Sequence, residues 1–283
     1  MPSASPRNSA RKACSSAIVA GTFANTLAPR PTDGSNGSSA AGALAQAPAA
    51  STGYTPQVGQ EGKDVVWVPT PQALVDRMLD MAKVTAKDTV YDLGSGDGRT
   101  VITAAKRGAR AYGIEYNPDM VALSKSNAEK AGVSARATFE KADLFETDLS
   151  KATVITMFLL PEINLKLRPK ILDLKPGTRV VSNTFTMGEW EPDARSTLES
   201  KDGCTSSWCT ALLWIVPARV AGTHKLPQGE LTLTQEFQKI SGTLVTGTQT
   251  LPVSGRVRGS AVSFSAGGHE YHGRVTAKGL ELR

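Results

Sequence analysis

The sequence predicts an α/β fold, a doubly wound sheet of parallel strands, followed by a small C-terminal all-β segment. Three observations carry that prediction. Residues 88–99 (DTVYDLGSGDGR) run from an apolar strand through a glycine turn into a helix, the first crossover of such a sheet. Strand-like and helix-like stretches then alternate as far as Val216. From residue 225 the chain changes character, into short runs punctuated by glycine in which apolar and polar residues alternate.

The first part of the chain, residues 1–62, is rich in Ala, Ser, Gly, Pro and Thr, a composition that does not make a packed core. Arg7, Arg11 and Lys12 precede an uncharged span, 13–28, and Ala43-Leu44-Ala45 is a site of the kind a signal peptidase cuts. An export signal, an organelle transit peptide and a disordered tail on a cytoplasmic protein all fit this stretch. No apolar run approaches the ~20 residues of a membrane helix. The formal charge of +6 is unevenly spread: residues 63–220 carry 21 basic and 20 acidic side chains, so the core of the chain is nearly neutral. No run of lysine and arginine interleaved with aromatics occurs, and nucleic acid is not the expected partner.

Residues 63–220 form the expected α/β domain. Thr70 is expected to cap a helix that Pro71 begins, with Val75, Met78, Leu79 and Ala82 on one face. The VPTP segment that leads into it is expected to close one wall of a site. Strand 89–93 is followed by helix Arg99–Arg107, a second strand ending at Glu115, and helix Pro118–Ala131 stopped by Gly132. A third strand ends at Asp143. The fourth, 153–160, is almost wholly apolar, as befits a central strand buried on both faces. The helical stretch 161–174 is expected to break at Pro169. Strands over 178–185 and 209–216 complete the domain. Residues 225–283 are read as a small antiparallel meander or half-barrel, standing alone or packed against the core; the need to cover its edges favours packing.

The glycine turn tells which ligand the sheet serves. Gly94, Gly96 and Gly98 are spaced G-x-G-x-G, which is not the G-x-G-x-x-G of dinucleotide sites. Asp92 stands just before the turn and Asp97 within it, where carboxylates would oppose a pyrophosphate. S-adenosylmethionine has no phosphate; it brings an ammonium and a sulfonium that acidic groups favour, and a carboxylate for backbone N–H groups. Glu115 stands at the offset of about 20 residues where an acidic side chain bonds ribose hydroxyls, and Asp143 is placed for the adenine amine. The expected donor pocket comprises Thr70, Asp92, Leu93, Gly94, Ser95, Gly96, Asp97, Glu115, Asp143 and Leu144. Strand-end carboxylates acting as solvated turn residues are the plainer alternative.

With YDLGSGDGR, Glu115 and DLF (143–145) in view, the chain resembles a class I, Rossmann-like methyltransferase. More narrowly it resembles the small protein-lysine methyltransferases of the ATP synthase c-subunit and adenine nucleotide carrier type. The likeness spans roughly residues 65–217 and rests also on VPTP (68–71), GIEYNP (113–118), FLLP (158–161) and PGTRVVS (176–182). It implies S-adenosylmethionine as cofactor, with contacts at Asp92, Gly94, Gly96, Glu115 and Asp143, and a lysine in a protein as acceptor.

The residues after the fourth strand bear on the acceptor. Phe158-Leu159-Leu160-Pro161 holds no hydrogen-bond acceptor of the kind that frees the delocalised lone pair of a nucleobase or amide nitrogen. A lysine amine needs only to lose a proton, and an apolar channel lowers its pKa. Phe158, Leu160 and Pro161 are the expected channel residues; a buried strand entering a helix at proline explains the same run. No general base stands out, since His224, His269 and His272 lie outside the core; Glu162 and Glu189 are the remaining carboxylates to consider. No metal site is expected. Cys204 and Cys209 are spaced to allow a disulfide or to stand as two free thiols. The reading is a methyltransferase acting on protein lysine, against two rivals: a small-molecule methyltransferase, and an exported binding protein that keeps the fold without catalysis. Oligomeric state is not legible.

Overall fold

The computed structural model describes residues 53–283; of the leader read over residues 1–62 only 53–62 fall within them, where Gln60, Glu61 and Gly62 line a crevice of the fold, and the targeting reading, which rests on residues before 53, lies outside. Helix α1 (Gln72–Met81) leads into β1 (Thr89–Leu93), α2 (Arg99–Lys106), β2 (Arg110–Glu115), α3 (Pro118–Lys130) and β3 (Ala137–Lys141). Then come β4 (Val154–Met157), α4 (Pro161–Leu172), β5 (Arg179–Asn183), β6 (Ala194–Thr197) and β7 (Thr210–Ile215). These strands form one sheet in the order β3-β2-β1-β4-β5-β7-β6. The first five run parallel and β7 enters antiparallel to β5. Strand order reverses between β1 and β4, so the crevice of a doubly wound sheet opens there, beyond their carboxyl ends.

Alternation along each strand divides the core between the two faces. Val90, Ala111, Val154 and Val181 pack with Leu74, Leu79, Val101 and Ala104 of α1 and α2. Tyr91, Leu93, Ile155, Met157 and Val180 pack on the other face with Ile163, Leu167 and Ile171 of α4 and with Trp190 and Trp214.

Several elements differ from expectation. Thr70 does not cap α1: Pro71 is the cap residue, no side chain bonds the helix end, and the Thr70 hydroxyl accepts from Asn183 Nδ2 at 3.4 Å. Strand β4 stops at Met157, so Phe158–Leu160 form a loop rather than its last turn of pleat. Pro169 lies inside an unbroken α4. It stands within the last turn, and Leu165, whose carbonyl loses its donor, is 39% exposed, where water can substitute. Strand β6 is an addition to the expected elements; ARST has no apolar alternation, and its pairing with β7 supplies the strand.

The C-terminal sheet is a consecutive antiparallel meander of seven strands. They are β8 (Gly222–Leu226), β9 (Gly229–Glu236), β10 (Lys239–Thr246), β11 (Gln249–Arg258), β12 (Ala261–Ala266), β13 (His269–Thr276) and β14 (Gly279–Leu282). Leu231, Leu233, Ile240, Leu244, Val253, Val257, Val262 and Phe264 fill its inner face. The sheet is tied to the α/β core at one corner. Phe237, in the β9–β10 turn, stacks on Trp190 with ring centroids 6.1 Å apart. Gln238 Nε2 donates to the Glu191 carbonyl at 2.7 Å, and Arg256 pairs with Asp193 at 3.2 Å. No helix among the described residues is long and apolar enough to cross a membrane.

Candidate functional site

The crevice at the switch point encloses about 1040 Å³ between protein atoms, part of it open to solvent. Thr70, Asp92, Gly94, Ser95, Gly96, Asp97, Glu115, Asp143, Leu144 and Phe158 line it. Leu93 does not: it is fully buried on the α4 face, because its neighbour Asp92 takes the other side of the pleat.

Asp92 is the deepest charge. It pairs in register with Thr156 of β4, on the same face, so the Thr156 hydroxyl donates to Asp92 Oδ1 at 2.6 Å. Burial pushes its pKa up to about 7; the Thr156 bond opposes the rise, and the charges of Asp97 and Glu115 add to it. A positive charge brought near it would favour its ionised form.

The turn itself is stiff. Gly98 precedes α2 with φ 82°, a left-handed conformation that side chains resist. Gly96, at φ 54°, leaves room for the indole of Trp67: a Cβ there would stand 2.4 Å from Trp67 Nε1. Glu115 is clamped at the end of β2, accepting from the N–H groups of Gly96 and Asn117, each at 3.0 Å. Most of the turn's amides are not free for a ligand carboxylate, since those of Gly94 and Ser95 donate to the Ile114 carbonyl and that of Gly98 to Ser95. Nor does Asp97 present a bare charge: it accepts from Arg99 Nε at 3.0 and 3.1 Å, while Arg99 Nη1 donates to the Thr70 carbonyl at 3.0 Å. The Ser95 hydroxyl is buried without a partner.

Asp143 lies past β3 at the mouth. It accepts from the Phe145 N–H at 2.8 Å and from Lys63, whose ammonium also stands 4.9 Å from the centre of the Tyr116 ring. Lys63 first, then the Phe145 N–H, hold the Asp143 carboxyl below the usual range. Residues 60–70 form one wall of the crevice, pinned by hydrogen bonds between Gly59 and Trp67 (2.8 Å) and between Trp67 and Gln60 (2.9 Å).

The wall of the crevice that follows β4 is apolar. Phe158 and Leu159 line it with Met157 and Ile163. Leu159 is the inward leucine, 2% exposed and packed on Gly94. Leu160 and Pro161, expected in the channel, are not in the lining. Leu160 is 37% exposed where the chain turns into α4, and Pro161 is the first residue of that helix. Phe158 stacks on Phe185 at 5.9 Å and meets Trp208 at 6.0 Å. Trp208 sits in the 204–209 loop, which a Cys204–Cys209 disulfide closes. Glu189 is bound to Arg168 at 2.7 Å on the surface, Glu162 is exposed, and neither lines the crevice. His224 bonds the Val220 carbonyl in the C-terminal sheet. Among the described residues no cluster of His, Cys, Asp or Glu is placed to hold a metal ion.

Sequence reasoning missed Trp67, Arg99, Tyr116 and Leu159 as lining residues. Arg99 and Leu159 adjoin legible motifs, and adjacency is the available signal. Tyr116 likewise follows Glu115 directly, whereas Trp67 reaches the crevice through a chain reversal that local pattern does not encode.

Comparison with known proteins places this geometry. A family model described as the ANTKMT methyltransferase domain matches residues 92–194. A protein-lysine N-methyltransferase of Saccharolobus islandicus is 45% identical over 164 residues, 57% of this chain and 96% of that protein. The lysine N-methyltransferase of the ATP synthase c-subunit from Mus musculus is 35% identical over 128 residues, 45% of this chain; the match spans about half (51%) of that relative. Among solved structures, one described as an RNA methyltransferase from Salinibacter ruber, in complex with S-adenosyl-L-homocysteine, is 48% identical with a TM-score of 0.50. It covers 54% of this chain and 96% of its own.

Proposed function

Because the chain belongs to the family of S-adenosylmethionine-dependent protein-lysine N-methyltransferases, we propose that its crevice holds the donor over the glycine turn and admits a lysine of a protein past Phe158. The observation that carries this reading is the division of the crevice. Asp92, Asp97, Glu115 and Asp143 lie on the donor side, around the turn, and the wall after β4 is apolar.

The residues fit a cationic donor. Asp92, with its pKa near 7 and its charge unpaired by any basic side chain in the described structure, gains most from a nearby positive charge. Glu115, already clamped, offers remaining lone pairs to ribose hydroxyls, and Asp143 to the adenine amine. With most of the turn's amides occupied, the Arg99 guanidinium and the Thr70 hydroxyl are among the donors left for the amino-acid carboxylate. When bound, S-adenosylmethionine supplies an electrophilic methyl group. The chain's part is alignment and drying: Phe158 and Leu159 exclude water from the acceptor side, which favours the neutral amine, and the stiff turn fixes the donor side.

RNA is the second reading, because the Salinibacter ruber structure is described as an RNA methyltransferase. The nearly neutral charge of residues 63–220 and the absence of an acceptor side chain in FLLP weigh against it here. Incubation with radiolabelled donor, poly-L-lysine, total protein extract and transcribed RNA separates the two. Label in protein that survives nuclease and is recovered as methyl-lysine is expected; label in RNA alone overturns the proposal.

A further inference from the structure

The disulfide-closed loop carries an aromatic side chain that the donor chemistry does not use. We infer that Trp208 is the outer wall of the acceptor entrance and a specificity-determining residue, selecting an amine on a long unbranched aliphatic stem. This rests on the lysine reading above and names the residue that enforces it.

Three rings from three separate elements meet at this point. Phe158 follows β4, Phe185 follows β5, and Trp208 precedes β7; Phe158, the middle one, is the ring that lines the crevice. Phe185 and Trp208 are held there by distinct local structure. Thr184 has φ 60°, rare for a β-branched residue, and its strained turn aims Phe185 across at Phe158. The Phe185 and Thr186 carbonyls are caught from below by Asn164 Nδ2 of α4, at 3.3 and 3.1 Å. At Trp208 the contrast in burial is sharp. Cys204 and Cys209 are 3% and 7% exposed in the core, whereas the indole between them is 37% exposed. A short closed loop with both feet in the core presents a large apolar ring outward on a rigid support.

The chemistry of such an array is specific. Aromatic faces take an aliphatic stem by apolar contact and attract an ammonium, methylated or not, through the ring quadrupole. A lysine passing Trp208 toward Phe158 is met in that order, by an outer face that recruits its charged form and an inner apolar wall that favours its neutral one. A base would stack on an exposed indole too, so nucleotide is the competing occupant.

The test reads Trp208 directly. The full chain is labelled with 5-fluorotryptophan and saturated with S-adenosyl-L-homocysteine, and the Trp208 ¹⁹F line is identified by its loss in Trp208→Phe. Nα-acetyl-lysine methylamide is expected to shift that line saturably, leaving those of Trp190 and Trp214 in place. Adenosine and uridine monophosphate are expected to leave it unmoved. A Trp208 line that ignores the lysine probe, or follows the nucleotides instead, overturns the inference. In turnover, Trp208→Ala is expected to raise KM for poly-L-lysine at least tenfold with donor Kd within twofold. Cys204→Ser/Cys209→Ser, which opens the loop and keeps the ring, is expected to move KM the same way. An unchanged KM in both variants also overturns it. Failure of the wild type to methylate poly-L-lysine would instead strike the lysine reading, and the fluorine shift would still decide whether Trp208 meets a lysine.

Discussion

The two ends of the crevice are built by opposite means. The proposed donor end is made of charge: Asp92, Glu115 and Asp143 stand at or just past three successive strand ends, each anchored by hydrogen bonds to a nearby turn or strand. The proposed acceptor side is made of rings: Phe158 lines the crevice, Phe185 and Trp208 pack against it from loops 23 to 50 residues apart, and these two are held by a strained residue and a disulfide. Charge recognition tolerates local construction, because a strand end fixes a carboxylate to within an ångström or so. An apolar entrance has no such directional bond, and its rings must be positioned by the surrounding fold.

The strongest test of that division is removal of the deepest charge. Asp92→Asn keeps the Thr156 bond and the shape, and deletes only the carboxylate. Donor binding measured by calorimetry should fall about a hundredfold or more, an effect of the size expected for a buried charge losing its counter-ion. The fold should persist by circular dichroism. If affinity stays within threefold, the donor end does not work by charge.

Next in size is pH. Asp92 in the free protein titrates near 7, above its ordinary value, so binding a cation must draw a proton off it at lower pH. Donor affinity should fall about tenfold from pH 8 to pH 6, most of the loss lying below 7. Stability of the free protein follows the opposite sign. Because the folded pKa is raised, this group's contribution is full below the unfolded carboxylate range and is lost as pH rises through about 7. Thermal shift on adding donor should therefore be larger at pH 8 than at pH 6. A flat profile on both counts would mean that Asp92 stays ionised.

At the acceptor end the corresponding probe is strain. Asn visits the left-handed region more readily than Thr, so Thr184→Asn should stabilise the chain by about 1 kcal/mol, or roughly 2–4 °C in Tm. Donor affinity should not change. A fall in Tm would show that the Thr184 hydroxyl, which donates to Asn183 Oδ1 at 2.9 Å, outweighs the backbone cost.

The difference between the ends also explains what can be read from the sequence. YDLGSGDGR announces strand, turn, helix and buried acid within a dozen residues, and Glu115 and Asp143 follow at strand ends whose periodicity is plain. Arg99 neutralising Asp97, by contrast, depends on side-chain rotamers. So does the choice of Leu159 over Leu160 as the inward leucine, which turns on β4 ending at Met157. Trp208 is invisible for a stronger reason. Nothing within CTSSWC says that it will stand beside residue 158, and only the pairing of β5 with β7 brings them together. Strand β6 escapes notice in the same way, a polar segment made strand by its partner.

The smallest effect lies at the donor end's rim, where charge meets solvent. Lys63 is exposed and Asp143 half-buried, so screening limits what their pairing contributes. Asp143 keeps its place without Lys63, because its other oxygen accepts from the Phe145 N–H. A carboxylate has about four lone-pair sites, so the lysine competes with an adenine amine only in part. Lys63→Ala should thus raise donor affinity, by no more than about threefold at low salt. In 0.5 M salt the wild type should approach the variant, as the Debye length contracts to about 4 Å. A tenfold loss in Lys63→Ala would reverse the assignment: Lys63, lying over Tyr116, would then be part of the wall that grips the donor, and residues 60–70 a strap fastened by the charge it carries.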